Sequence, residues 1–292
     1  MPRTSILRWT AALFASAALV AGCGAAENTA GNTAASTAPT DGAGKATVLK
    51  VGASPVPHAE ILNAVKPILA KEGIDLQVVE FQDYVQPNRA LAEGSLDANF
   101  FQHVPYLEEY NKQNHTDLVP TVSVHFEPLG LYPGRSDSLA HIPDGAKIAV
   151  PNDTTNEARA LLLLQSAGVI QLKQPLTIDE TKQDITANPH HVQIVELDAA
   201  SIPRHLKDVD YAVINGNYAV QAGLTIDKAL AKESADSLAA KTYANVVVVR
   251  KGDENNPAIQ KLDAALQSDT VRQFIEDHYH GSVVPVFGAV KP

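Results

Sequence analysis

Lys147–Gly168, KIAVPNDTTNEARALLLLQSAG, contains one complete unit of the fold. Lys147–Val150 is a short β-branched run, and Pro151-Asn152-Asp153 is turn chemistry. Thr154-Thr155-Asn156-Glu157 then reads as a capping box that opens a helix through Ala167, closed by Gly168. Four consecutive leucines, Leu161–Leu164, imply burial around most of that helix. The same alternation runs outward in both directions. Strands are expected at Val48–Ala53, Leu76–Phe81, Leu96–Phe101, Val119–His125, Val192–Leu197, Val209–Ile214 and Val246–Arg250. Helical spacing marks Ala59–Glu72, with Pro67 inside it, and also Pro257–Gln267 and Val271–His280. Strands alternating with helices predict an α/β protein whose parallel or mixed sheets are covered on both faces.

The N-terminus has a different character. Arg3 and Arg8 precede an apolar run, Trp9–Val20, and the small residues Ala21 and Gly22 lead into the single cysteine, Cys23. That is the order of a secretory signal peptide, and Val20-Ala21-Gly22-Cys23 resembles the lipobox of bacterial lipoproteins. Residues 1–22 are therefore expected to be a lipoprotein signal peptide, with Cys23 acylated. Residues 23–46 are Ala, Thr, Gly and Asn without a large apolar side chain, the composition of a flexible tether. After Cys23 no apolar stretch approaches the ~20 residues of a membrane span, so the expected anchor is lipid alone, on the extracytoplasmic face of the cell membrane. A net charge of −10 argues against a nucleic-acid partner. With Cys23 used, no internal disulfide or thiolate metal cluster is possible.

Ligands of open α/β sheets bind beyond the carboxyl ends of the strands. There the expected strands deliver Gln82-Asp83-Tyr84, Gln102-His103-Val104-Pro105-Tyr106, Pro151-Asn152-Asp153 and Asn215-Gly216-Asn217. Aromatic, amide and cationic groups on one rim suit a small zwitterion with an apolar side chain. Arg159 lies about one turn inside its helix, where a guanidinium can meet an anion already favoured by the helix N-terminus. A salt bridge at the surface or between lobes is the alternative role for it.

The segments FQDYVQPNRALAEGSLDANFFQHVPYL (81–107), VPNDTTNEARALLLLQSAG (150–168) and VINGNYAVQAGL (213–224) resemble the methionine-binding lipoproteins of the NlpA family, from Val51 to the C-terminus. The resemblance implies a two-lobed fold of the type II periplasmic-binding-protein kind, with lobe 1 from 47–129 and 245–292 and lobe 2 from 130–244. It implies a binding protein without catalysis or cofactor, which captures methionine, L-methionine being the expected enantiomer, and delivers it to the permease and ATPase of an ABC importer. By motif, Tyr84, Phe101, His103 and Tyr106 would line the side-chain pocket and Arg159 would pair with the ligand carboxylate. Asn215 and Asn245 would bind its polar backbone groups, with Asn217 and Asn152 behind them. Val104, Thr154 and Ala158 stand where the family commonly has lysine, proline and glycine.

Three alternatives remain open at the level of sequence. The cargo could be a different apolar amino acid. The chain could be an exported metal-binding lipoprotein, since it carries His190-His191 and His278-Tyr279-His280, although without zinc-site spacing. An exported hydrolase lacks Gly-x-Ser-x-Gly and a spare cysteine.

Overall fold

The computed structural model describes residues 46–235 and 238–290. The expected signal peptide, Cys23 and most of the tether lie outside the described residues. In chain order the strands are β1 (Thr47–Ala53), β2 (Ile74–Glu80), β3 (Ala98–His103), β4 (Leu118–Phe126), β5 (Gly130–Pro133), β6 (Lys147–Pro151) and β7 (Gln171–Leu172). They continue as β8 (Ile185–Ala187), β9 (Gln193–Leu197), β10 (Tyr211–Ile214), β11 (Ala231–Lys232), β12 (Asn245–Arg250) and β13 (Val284–Ala289). The α-helices are α1 (Glu60–Lys71), α2 (Gln86–Ala92), α3 (Val104–Asn114), α4 (Thr154–Ser166), α5 (Gly216–Gln221), α6 (Leu238–Thr242), α7 (Pro257–Leu266) and α8 (Asp269–Tyr279).

Two mixed sheets organise two lobes. The first, in the order β13-β4-β12-β3-β1-β2, has six strands; the second, β11-β5-β10-β6-β9, has five. β1 runs parallel to β2 and β3, while β12 is antiparallel to β3 and β4. In the second sheet β6 is parallel to β9 and β10, and β5 is antiparallel to β10. The chain crosses between the sheets where β4 gives way to β5, around Glu127, and where α6 gives way to β12, around Tyr243.

Helix α1 shows why the first sheet is covered. Ile61, Leu62, Val65 and Leu69 recur at helical spacing and are fully buried. Burying four such side chains contributes about 6–12 kcal/mol as an upper estimate. Pro67 does not break the helix. It lies on the exposed face, where the carbonyl it leaves unpaired can meet water. Helix α4 covers the second sheet with Leu161, Leu163 and Leu164, each at most 4% exposed. Its cap differs from the sequence expectation. The carboxylate of Asp153 accepts from the Asn156 N–H at 3.0 Å, so Asp153 and not Thr154 is the cap. An ionised acceptor one residue earlier outcompetes the hydroxyl.

Candidate functional site

Strand register assembles the heart of the site. Asn245, at the start of β12, pairs on one side with His103 at the end of β3 and on the other with His125 at the end of β4. From the second lobe, the junction of β10 with α5 brings Asn215, Gly216 and Asn217, and α4 brings Asn156 and Arg159. All seven residues expected to bind ligand line one small cavity of about 20 Å³ between the lobes: Tyr84, Phe101, His103, Tyr106, Arg159, Asn215 and Asn245. Gln102, Glu127, Asn156 and Asn217 line it as well.

One wall is aromatic. The rings of Tyr84, Phe101 and Tyr106 lie 5.8–6.0 Å apart, centroid to centroid, with Tyr84 and Phe101 each edge-on or tilted to the others. The Tyr106 hydroxyl donates to the Tyr84 carbonyl at 3.0 Å, and the Tyr84 hydroxyl crosses to Asn217 Oδ1 at 2.5 Å. Behind β3, Asn88 and Gln102 exchange a reciprocal pair of amide bonds at 2.8 and 2.6 Å, and Asn99 joins them. A fully bonded amide cluster of this kind fixes the strand beneath Phe101 and His103.

His103 caps α3. Its Nδ1 accepts from the Tyr106 N–H at 3.2 Å, so Nε2 carries the proton and donates to Asn156 Oδ1 at 3.2 Å in the other lobe. Burial, then the Arg159 charge, lowers its pKa to about 3, so it is neutral. Asn156 was not singled out in the sequence, where it read as part of a capping motif. It is a hub: its oxygen also accepts from Asn215 Nδ2 at 2.9 Å, and its own amide is held by Asp153. Asn152 is exposed and does not line the cavity.

Arg159 differs from its simplest expectation. Its guanidinium is 4% exposed and already paired with Glu233, Nε to Oε1 at 2.8 Å and Nη2 to Oε2 at 2.5 Å. Nη2 also donates to the Glu127 carbonyl at 2.8 Å, and the charge lies 4.5 Å from the Tyr243 ring centroid. The bidentate fork is thus filled from within the chain, and Nη1, which makes none of these bonds, is what remains for a ligand. Asn245 also differs. Its Oδ1 pairs with His58 Nε2 at 2.9 Å, which leaves its amide nitrogen, not its oxygen, to offer the cavity. Two polar atoms of the site are buried without a partner: Asn215 Oδ1, an acceptor, and Asn217 Nδ2, a donor. The cavity therefore combines an apolar wall with both signs of hydrogen-bonding capacity.

The histidine pairs noted in the sequence do not gather. His191 bonds Asp144 at the surface, and His278 stacks on Phe274. The one histidine–carboxylate cluster among the described residues is His58, His125 and Glu127, whose sequence spacing gave no motif. No helix among the described residues is long and apolar enough to cross a membrane.

The chain is 41% identical over 244 residues to a protein of Bacillus subtilis named methionine-binding lipoprotein MetQ, covering 81% of this chain and 87% of that one. Its fold matches a crystal structure of a lipoprotein from Ruminococcus gnavus, with TM-score 0.82, 52% identity, and coverage of 82% and 100%. It also matches a nutrient-binding protein from Burkholderia cenocepacia solved bound to methionine, with TM-score 0.78, 47% identity, and coverage of 82% and 100%. The family model described as NlpA lipoprotein matches residues 49–287, and the chain belongs to that family.

Proposed function

We propose that this protein is a lipid-anchored, extracytoplasmic binding protein that captures methionine and hands it to the permease and ATPase of an ABC importer, without chemical turnover. The observation that carries this reading is the cavity itself. An aromatic wall of Tyr84, Phe101 and Tyr106 is combined with an unpartnered acceptor on Asn215 and an unpartnered donor on Asn217. A thioether side chain suits the first and an amino acid's charged end suits the second. The relatives' names support the cargo, and the NlpA description supports the anchor at Cys23. On this reading 47–129 with 245–292 and 130–244 close as two lobes on the ligand, and direct bonds such as His103–Asn156 form part of the closed state.

Titration of the purified domain with methionine tests the proposal. Saturation should raise the melting temperature, because at a hundred times Kd a ligand stabilises by about 2.7 kcal/mol. Leucine and the polar amino acids should do so far less. A domain that responds to all of them alike, or to none, overturns the reading.

A smaller effect tests the wall. Tyr106→Ala removes one aromatic face and the bond to the Tyr84 carbonyl, and should weaken methionine by about 1–3 kcal/mol. Calorimetry that finds equal affinity in the variant removes Tyr106 from the ligand's contact surface.

A further inference from the structure

Glu127 is 5% exposed, lines the cavity at the first crossing between the lobes, and is surrounded by donors. Its Oε1 lies 2.7 Å from His125 Nε2 and 3.4 Å from His58 Nε2, and the Asn217 backbone N–H bonds its carboxylate. Each imidazole has a buried Nδ1 without a partner. That fixes the tautomer, because a proton on Nδ1 would be orphaned while a bare Nε2 faced a carboxylate. Burial keeps both rings neutral, with pKa values lowered to about 4 for His58 and about 3 for His125. The carboxylate thus receives the His125 N–H without a positive charge, while the His58 Nε2–H goes to Asn245 Oδ1 and leaves a neutral ring 3.4 Å from the carboxylate. Arg159, the cation nearby, is paired with Glu233 and hydrogen-bonds Glu127 only at its main-chain carbonyl, so its charge acts on the Glu127 carboxylate at longer range and as the weakest of the influences on it. A buried carboxylate without a cation is costly. Burial accordingly pushes its pKa up.

The same cavity is lined by Asn215, whose Oδ1 is a buried acceptor with no partner. An anionic and a neutral acceptor on one small cavity complement a group with one positive charge and several N–H donors. We infer that Glu127, together with Asn215 Oδ1, is the counter-charge for the ligand's primary ammonium, and that His58 and His125 are positioning residues that hold this carboxylate toward the cavity. The inference rests on the amino-acid-binding reading above and adds to it an order of importance. Arg159 is already neutralised, so the ligand's carboxylate meets dipoles and one spare guanidinium edge, whereas its ammonium meets an unpaired charge. The site therefore selects primary amines first and carboxylates second.

Calorimetry on the whole domain with three probes decides it: methionine, methionine amide and the des-amino acid 4-(methylthio)butanoate. In the wild type the des-amino acid should bind about 30- to 1,000-fold more weakly than methionine, the scale for leaving a buried charge unpaired. The amide should lose less. Glu127→Gln should weaken methionine by a similar factor and leave the des-amino acid unchanged or tighter. His125→Gln should narrow the ratio between methionine and the des-amino acid, a readout that loss of packing alone would not move. Wild-type protein that binds the des-amino acid as tightly as methionine overturns the inference without any variant, even if Glu127→Gln does not fold. Equal losses for all probes in Glu127→Gln overturn it as well. A wild type that ignores methionine overturns the cargo reading instead, and the same ammonium-deletion comparison on whichever amino acid stabilises the domain then decides the role of Glu127.

Discussion

Arg159→Ala should cost the protein stability and ligand together. Its partner Glu233 has a side chain only 11% exposed, and the two are joined by a pair of hydrogen bonds. Removing one member of a buried pair leaves the other uncompensated, which costs about 3–5 kcal/mol. The Glu127 carbonyl loses its donor, and the rings of Phe126 and Tyr243 lose a cation over their faces. Urea denaturation would show a lower midpoint at an unchanged slope. Arg159→Met combined with Glu233→Met separates the two effects. Replacing both charges with apolar groups of similar volume should restore most of the stability while methionine binding stays weak. If the double variant regains full affinity, the guanidinium has no part in the ligand's site.

The second large effect separates neighbours. Phe100 and Phe101 are consecutive on β3, and the register against β12 skips Phe101 at a bulge, so the two rings enter different surroundings. Phe100 is fully buried, packed 4.8 Å from the His58 ring and 5.3 Å from His125, centroid to centroid. Phe101 faces the cavity. Phe100→Ala should lower stability by about 3–5 kcal/mol, the range for an aromatic deleted from a core, and loosen the two imidazoles that hold Glu127. Phe101→Ala should lower stability less and methionine affinity more. Paired thermal melts and titrations would check this, and a reversed order would mean that the register of β3 is off by one residue.

The eight strands expected from the sequence are where they were expected, within two residues at every end. β5 (GLYP) and the final β13 were missed, as both mix strand formers with Gly and Pro, which ordinarily mark turns. Helix α3 was missed because its sequence is mostly polar, and its start is set by His103 acting as a cap. The site shows a similar division. Side chains next to expected strand ends (Tyr84, His103, Asn215) were legible because sheet topology sends strand ends to a common rim and the family motifs distinguish them there from core aromatics, a structural histidine and a turn. Glu127 and Asn156 were not. Glu127 followed a strand in HFEPLG without any motif, and Asn156 read as capping sequence. Their roles come from partners distant in the chain: His58 for the first, Asn215 and His103 for the second. The same is true of Glu233, which fills the Arg159 fork from a segment that carries no signal of its own.

The two crossings of the chain run past Glu127 and Asn245, and both residues line the cavity. Cargo held there sits close to the axle of any rotation of one lobe on the other. Displacement grows with distance from an axle, so sub-ångström adjustments around the ligand correspond to much larger travel at the outer rims. Mechanically the arrangement has gain. The contacts that set affinity lie where such a rotation moves atoms least, and the outer rims, where it moves them most, are what would report whether the seat is taken.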